Sequence, residues 1–199
     1  MQDIVEKYFT LASRLPLETV VTDRDGSEID LGAGFERFLG QVVDASDAGN
    51  TLRFIGNGGS AGIASHMAVD YAKRGGIRAQ AMNDPSMLTC LGNDLGYEQV
   101  FAHQVELHTR IGDVLAAISS SGRSPNILAA CEAGRALGAS LVTFSGFDAD
   151  NPLRGLGDLN FYVASPEYGF VELTHMALLG AAIDIQIGWP TEPHLRELR

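Results

Sequence analysis

The chain has 199 residues, of which 45% are hydrophobic and 20% charged, which suits one folded domain with a full core or one domain plus a helical appendage. Its formal net charge is −11, from 25 acidic and 14 basic residues. This excess of acid argues against a direct nucleic-acid-binding surface, which needs clustered Lys and Arg. It leaves room for a small phosphorylated ligand, which backbone amides and hydroxyls can bind.

Cysteine usage and hydropathy indicate the compartment. The two cysteines, Cys90 and Cys131, lack CxxC spacing, which predicts buried free thiols in a reducing environment. The first residues lack the pattern of a signal peptide, and no apolar run reaches the ~20 residues that span a bilayer. We therefore expect a cytoplasmic protein that does not act at a membrane.

Two helices are predicted at the start of the chain. Residues 1–15 place apolar side chains at helical spacing and end before Pro16, and a second amphipathic helix runs from about Leu31 to Ala48. A polar turn, Thr22–Ser27, separates them. We expect residues 1–48 to form a helical segment that packs against another subunit, followed by an α/β domain over 49–199.

From residue 50 onward, short apolar strands alternate with helices, which predicts a parallel sheet covered on both faces. In such sheets ligands bind beyond the carboxyl ends of the strands. The predicted strands are Leu52–Ile55, Ala79–Ala81, Val114–Ile118, Ser140–Phe144 and Leu159–Val163. The predicted helices are 60–74, 84–92, 97–110, 124–138 (with Gly138 as C-terminal cap) and 169–187.

A glycine-rich loop, Gly56–Ser60, joins the first of these strands to a helix. Such a loop places backbone N–H groups at the positive end of the helix, where an anion binds well, and Ser60 adds a hydroxyl donor. His66 and Asp70 are four residues apart and share a face of this helix. The alternative is a plain tight connection, since the loop matches neither GxGxxG nor GxxxxGK[ST].

A serine-rich loop, Ser119–Pro125, also follows a strand and precedes a helix, with Ser124 as the expected N-cap and Pro125 as the first helical residue. Its hydroxyls suit phosphate oxygens. A solvated turn is the plain alternative. Two such loops, each between a strand and a helix, favour an anion site.

Two further polar pairs complete the pattern. Glu172 and His175 share a face of the last helix, as either a structural pair or functional groups. Asn93 and Asp94 follow an apolar helix, where the plain alternative is a turn with Asp94 capping the next helix.

Taken together, these motifs resemble the SIS (sugar isomerase) domain family, in its phosphoheptose isomerase branch. The resemblance extends from the N-terminal helices to about residue 188. It is carried by GNGGS at 56–60, His66, CLGNDLGYEQVF at 90–101, GDVLAAISSSGRS at 112–124 and ELTH at 172–175.

The resemblance implies an α/β fold: a three-layer αβα sandwich with a five-stranded parallel sheet, preceded by helices that build a homotetramer with sites between subunits. It also implies that one serine set binds the phosphate of a sugar, namely Ser119, Ser120, Ser121 and Ser124. The residues implied to contact the rest of the substrate are Asn57, Gly58, Gly59, Asn93 and Asp94, next to the hydroxyl of Ser60.

The family's zinc ligands are only partly retained. The resemblance implies a zinc site at His66, Asp70 and Glu172, where the family has histidine, glutamate and glutamine, and at a histidine eight residues beyond Glu172. That last position is Gly180 here. The family's glutamate, also its proposed base, is the shorter Asp70, and the family's acid histidine is missing.

The chemistry implied is the isomerisation of sedoheptulose 7-phosphate or a related sugar phosphate through an enediol. That reaction needs a base and an acid or metal, and Asp70, Glu172 and His175 are the predicted acid–base residues. The alternative is a binding module without catalysis, because some relatives are tetrameric adaptors that bind the bacterial replication initiator. Turnover of the sugar phosphate separates the two.

Overall fold

The structure, a computed structural model, describes residues 1–190. Short 3₁₀ turns occur at Tyr97–Gln99 and Pro152–Gly155. The helices are α1 (Gln2–Arg14), α2 (Leu31–Asp47), α3 (Gly59–Lys73), α4 (Pro85–Asp94), α5 (Ala102–His108), α6 (Pro125–Ala136) and α7 (Tyr168–Gln186). The strands are β1 (Val20–Asp23), β2 (Glu28–Ile29), β3 (Leu52–Gly56), β4 (Ala79–Ala81), β5 (Val114–Ser119), β6 (Ser140–Gly146) and β7 (Leu159–Val163).

One mixed sheet contains all seven strands in the order β2-β1-β7-β6-β5-β3-β4. The five strands expected from the sequence, β3 to β7, all occur and pair in parallel. The sheet has seven strands rather than five because β1 and β2 extend it beyond β7 as an antiparallel hairpin. The α/β class is confirmed, with this correction to the strand number.

The extra hairpin occupies the segment expected to be only a polar turn. Val20–Asp23 pairs with β7 over its whole length, as its β-branched residues favour. The Asp23 carboxylate accepts hydrogen bonds from the N–H groups of Asp25 and Ser27, both at 3.0 Å, and Gly26 adopts a φ of +78°. The polar turn is therefore real, and it closes a hairpin.

Helices cover both faces of the sheet and form the expected three layers. On one face α2, α3 and α7 pack around a core that includes Phe38, Tyr71 and Phe144. On the other face α4, α5 and α6 cover a second core that includes Leu115 and Ile127. Since Phe38 lies in α2, the second N-terminal helix belongs to the main core.

Helix α1 differs from the others because it buries none of its residues. It touches the body through Tyr8, whose ring stacks on Phe170 at 4.6 Å between centroids. Ile4 and Phe9, with 66% and 64% of their surface exposed, leave an apolar face uncovered.

Helix α7 is the one helix of the described residues long and apolar enough to cross a membrane by length and composition. In the fold it packs against the sheet through Val171, Leu179 and Ile183.

Three local predictions have clear outcomes. The helix predicted over 97–110 forms two pieces, a 3₁₀ turn at Tyr97–Gln99 and α5, which ends at His108, with the buried Val100 and Phe101 between them. Gly138 ends α6 with a φ of +80°, as predicted. Cys131 is buried, and burial raises the pKa of its thiol to about 12, but the prediction of a buried Cys90 is wrong, because that thiol is exposed.

Candidate active site

A crevice opens where the strand order reverses. The chain goes from β3 to β4 on one side and returns to β5 on the other, so the loops after β3 and β5 diverge. Between them lies a cavity of about 120 Å³. Its lining residues are Asn57, Ser60, Ile118, Ser119, Ser120, Ser121, Ser124, Tyr168 and Glu172. Both predicted loops therefore meet at one site.

The glycine loop has a backbone path that only glycine permits. A Cβ on Gly56 would lie 2.6 Å from the backbone of Ser60. Gly58, the residue before α3, has φ +55° and ψ −121°, a combination that side chains disfavour. This tight path brings the first turn of α3, including the buried Ser60, to the cavity.

The serine loop lines the cavity with hydroxyls whose hydrogen bonds to protein groups, where they have any, lie within the loop itself. Ser124 stands before α6, as expected of an N-cap, but makes no side-chain capping hydrogen bond; its Oγ lies 3.3 Å from Ser119 Oγ. The Oγ of Ser120 is buried and has no hydrogen-bond partner among residues 1–190. An unpaired buried hydroxyl costs free energy, which a ligand oxygen in the cavity would recover.

The cavity is also electrostatically suited to an anion. Helices α3 and α6 both begin here, and neither Gly58 nor Ser124 caps its helix with a side chain. The first N–H groups of a helix lack intrahelical partners and carry partial positive charge. A phosphate group thus finds two helix N-termini and several hydroxyls.

Glu172 brings a carboxylate to the same cavity. It lies in α7 one turn after Tyr168, and both residues line the cavity. Its carboxyl group is so close to Gly59 that a Cβ there would collide with it. Gly59 is therefore needed for the fit between α3 and α7.

The predicted pair His66 and Asp70 lies further along α3. Nε2 of His66 is 3.6 Å from Oδ2 of Asp70. Arg74 is 3.3 Å from the same oxygen, and its guanidinium also pairs with Asp184 of α7. Asp70 therefore already has a cationic partner.

The three predicted metal ligands do not converge within one chain. Glu172 contacts Gly59, whereas Asp70 is eleven residues further along α3, or about 16 Å at 1.5 Å per residue. In the part of the chain that the structure describes, no group of three His, Cys, Asp or Glu side chains could hold a metal ion. The residues of a single chain do not fit zinc.

His175 lies beneath the site and is not part of its lining. Its side chain is completely buried, with Nε2 3.1 Å from the carbonyl oxygen of Ser145 and its ring edge-on to Phe144. Burial lowers the pKa of its imidazole to about 4, so the ring is neutral. A neutral, buried imidazole does not suit the predicted acid–base role. Glu172 and His175 therefore do not act together at the cavity, because only Glu172 lines it.

Asn93 and Asp94 end α4 and do not line the cavity in one chain. Asp94 accepts hydrogen bonds from Asn93 and from the Cys90 thiol, and it caps no helix, because Gly96 precedes the next turn.

Sequence reasoning missed three residues at or next to the cavity, two of which contact Asn57. Asn126 exchanges two hydrogen bonds of 2.9 Å with Asn57, and the Tyr97 hydroxyl donates to Asn57 Oδ1 at 3.1 Å. Tyr168 lines the cavity at the start of α7. The position of Asn126, a polar residue in the first turn after the serine loop, was a signal that could have identified it.

Comparisons with known proteins agree with this picture. The SIS domain family matches residues 33–146. A phosphoheptose isomerase from Citrifermentans bemidjiense is 33% identical, over 78% of this chain and 84% of that protein. One from Burkholderia pseudomallei is 38% identical, over 72% and 79%. The solved structure of a phosphoheptose isomerase from Neisseria gonorrhoeae matches with a TM-score of 0.80 and 28% identity, covering 93% of this chain and 98% of that one.

An αβα sandwich with an anion-binding crevice between two serine- and glycine-rich loops defines a class of sugar-phosphate-binding proteins. The chain belongs to the SIS domain family, in the branch of the phosphoheptose isomerases.

Proposed function

We propose that the protein is an aldose–ketose isomerase that converts sedoheptulose 7-phosphate, or a closely related sugar phosphate, through an enediol. The observation that carries this is the cavity in which serine hydroxyls and two helix N-termini lie beside the Glu172 carboxylate. An isomerase of this type needs a binding site for the phosphate and a base, together with a proton donor or metal for the carbonyl oxygen.

The phosphate binds to the serine loop. Ser119, Ser120, Ser121 and Ser124 donate hydroxyl hydrogen bonds, and the uncapped start of α6 adds backbone N–H groups. Fixing the phosphate holds the sugar chain along the crevice toward the glycine loop, so the reacting carbons lie near Glu172.

Glu172 then moves the proton. Its carboxylate takes the proton from the carbon next to the carbonyl while the carbonyl oxygen gains a proton from water, which gives the enediol. The same carboxyl group returns its proton to the former carbonyl carbon as the other hydroxyl gives its proton to water. Glu172 is the one carboxylate that lines the cavity within residues 1–190.

A second copy of the chain completes the site in this proposal. The exposed apolar face of α1 and the half-exposed His66 support assembly, and the resemblance implies a homotetramer with sites between subunits. A neighbouring subunit would bring His66 and Asp70 toward the cavity, and with them any zinc ligands. We place the protein in the cytoplasm.

The test is incubation with sedoheptulose 7-phosphate and identification of the product by NMR. Turnover supports the proposal, and tight binding of the sugar phosphate with no turnover favours a binding or adaptor role, as the missing histidine at Gly180 would allow. The assay is run with the protein as purified, in chelator and with added zinc. Equal rates in all three, with no stoichiometric zinc, exclude a zinc-dependent reaction.

Two matched variants assign the base. The family has glutamine at position 172, so Glu172→Gln is a replacement that this fold accepts. If Glu172 is the base, that variant loses activity by about 10²- to 10⁴-fold. If Asp70 of a neighbouring subunit is the base, Asp70→Asn loses activity and Glu172→Gln keeps it.

A further inference from the structure

The amide of Asn57 has its orientation fixed by two residues outside the cavity. Asn57 lines the cavity, but its Oδ1 accepts from both Asn126 Nδ2 and the Tyr97 hydroxyl, and its Nδ2 donates to Asn126 Oδ1. An amide has one acceptor oxygen with two lone pairs and two N–H donors. These contacts use both lone pairs and one N–H, which leaves a single N–H free.

The two partners hold Asn57 from different sides. Asn126 is buried, with 2% of its surface exposed, and lies in the first turn of α6 after the serine loop. Tyr97 lies in the 3₁₀ turn that follows Asn93 and Asp94. The Asn57 amide thus connects the glycine loop, the serine loop and the segment after α4.

We infer that Tyr97 and Asn126 are positioning residues that make Asn57 a dedicated hydrogen-bond donor to an oxygen of the substrate's sugar chain. This rests on the proposed function. The orientation matters because a rotated amide would present Oδ1, which repels the electron-rich oxygen of a carbonyl or enediol. Rotation of the Asn57 amide by itself would set N–H against N–H and oxygen against oxygen at Asn126, and it would remove the acceptor of the Tyr97 hydroxyl, so these contacts oppose it.

Tyr97→Phe is the cleanest test. The residue is 60% exposed, so loss of its hydroxyl leaves the core untouched. We expect an unchanged melting temperature and a fall in kcat/KM of about fivefold, as loss of one neutral hydrogen bond gives. Tyr8→Phe is the matched control, because its hydroxyl has no hydrogen-bond partner in the described residues, and it should change nothing.

A double-mutant cycle distinguishes positioning from an independent contact. In an Asn57→Ala background, Tyr97→Phe should change kcat/KM by less than about twofold, because there is no amide left to orient. The same fivefold loss in that background would show that Tyr97 acts on the substrate by itself and would overturn the inference. Asn126→Ala should give the same non-additivity, provided that its melting temperature shows a folded protein.

A measurement without turnover keeps the inference separate from the isomerase proposal. In protein labelled with ¹⁵N-asparagine, Tyr97→Phe should shift the side-chain amide signal of Asn57, whereas Tyr8→Phe should not. If Tyr97→Phe gives this shift but the wild type shows no turnover, the isomerase proposal fails and the oriented amide stands. An unmoved Asn57 signal refutes the inference whatever the activity.

Discussion

Ser120 illustrates how a residue placed to bind a ligand lowers the stability of the protein without ligand. Its buried hydroxyl has no partner among residues 1–190, although every neighbouring serine of the loop lines the same cavity. Strand β5 places Ser120 at the cavity, since Ser119 is the last residue of that strand and Ser120 follows it directly.

Ser120→Ala should therefore separate stability from binding. We expect the free energy of unfolding without ligand to stay equal or to rise by about 1 kcal/mol, because an unsatisfied polar group is removed. KM for the sugar phosphate should rise about tenfold, through the loss of one hydrogen bond to a charged group. Urea unfolding and steady-state kinetics check both, with Ser13→Ala on the surface of α1 as control. A clear loss of stability would show that the hydroxyl has a protein partner.

His175 predicts a pH dependence of stability. Its pKa in the folded protein is about 4, below the ordinary value of 6.5, so the unfolded chain binds the additional proton. The stability that the neutral ring contributes is fully present above pH 6.5 and is lost as the pH falls toward 4. Between pH 7 and pH 5 the loss from this residue is about 2 kcal/mol.

The measurement is urea unfolding at both pH values. His175→Asn should lower the difference between pH 7 and pH 5 by that amount, whatever its effect on stability at pH 7. His108→Gln, which changes an exposed histidine, should leave the difference as in the wild type. An unaltered difference in His175→Asn would mean that the imidazole is charged or hydrated in the folded state.

At the scale of elements, helix α2 has an N-terminal cap, Asp30, of a residue type that favours this position. The Asp30 carboxylate accepts from the N–H groups of Gly32 at 2.8 Å and Ala33 at 3.3 Å. Asp30→Ala should lower the free energy of unfolding by about 1 kcal/mol, while Asp30→Asn, which keeps the acceptor, should cost much less. Neither should change kcat/KM, since Asp30 does not line the cavity. Thermal unfolding compared with kinetics checks this.

The strands β3, β5, β6 and β7 were predictable because each is a buried, mostly apolar run between turn signals, whereas β4, an edge strand that is only partly buried, follows from the alternation of strands and helices. The hairpin of β1 and β2 was not, because β2 has only two residues and the pairing of β1 with β7 spans more than 130 residues of sequence. Its local signal, a β-branched run before Asp25-Gly26, favours a hairpin but does not say which strand it joins.

The site divides in the same way. The phosphate loops follow from local patterns, so the serine and glycine loops were predictable. The relation of Glu172 to Asp70 depends on how α3 and α7 cross, which residue spacing within either helix cannot reveal. The spacing of Glu172 and His175 was likewise misleading. Buried residues of α7 flank Glu172 on both sides, so a residue three positions away can lie in the core and not in the cavity.

At the scale of the whole molecule, α1 is the element that predicts assembly. It has no buried residue, and Ile4 and Phe9 leave an apolar face of a kind that a monomer rarely exposes. We therefore expect any assembly contact at α1 rather than over all of residues 1–48, because α2 packs into the core of its own chain.

Light scattering at micromolar concentration should give the mass of a tetramer. Ile4→Glu combined with Phe9→Glu should dissociate it, because charges in an apolar interface lose their hydration. Lys7→Glu, on the same helix, changes charge without removing apolar surface and serves as the control. A wild-type monomer would reject the assembly, and with it the shared site.

The crevice between β3 and β5 also has a consequence for folding kinetics. Asn57 and Asn126, which meet there, are 69 residues apart in sequence. Long-range contacts of this kind close slowly, after local helices have formed. During refolding, the ability to bind a sugar phosphate should therefore appear later than the helical signal in far-UV circular dichroism. Stopped-flow experiments that start from the unfolded chain can measure that delay, and simultaneous recovery of both signals would contradict it.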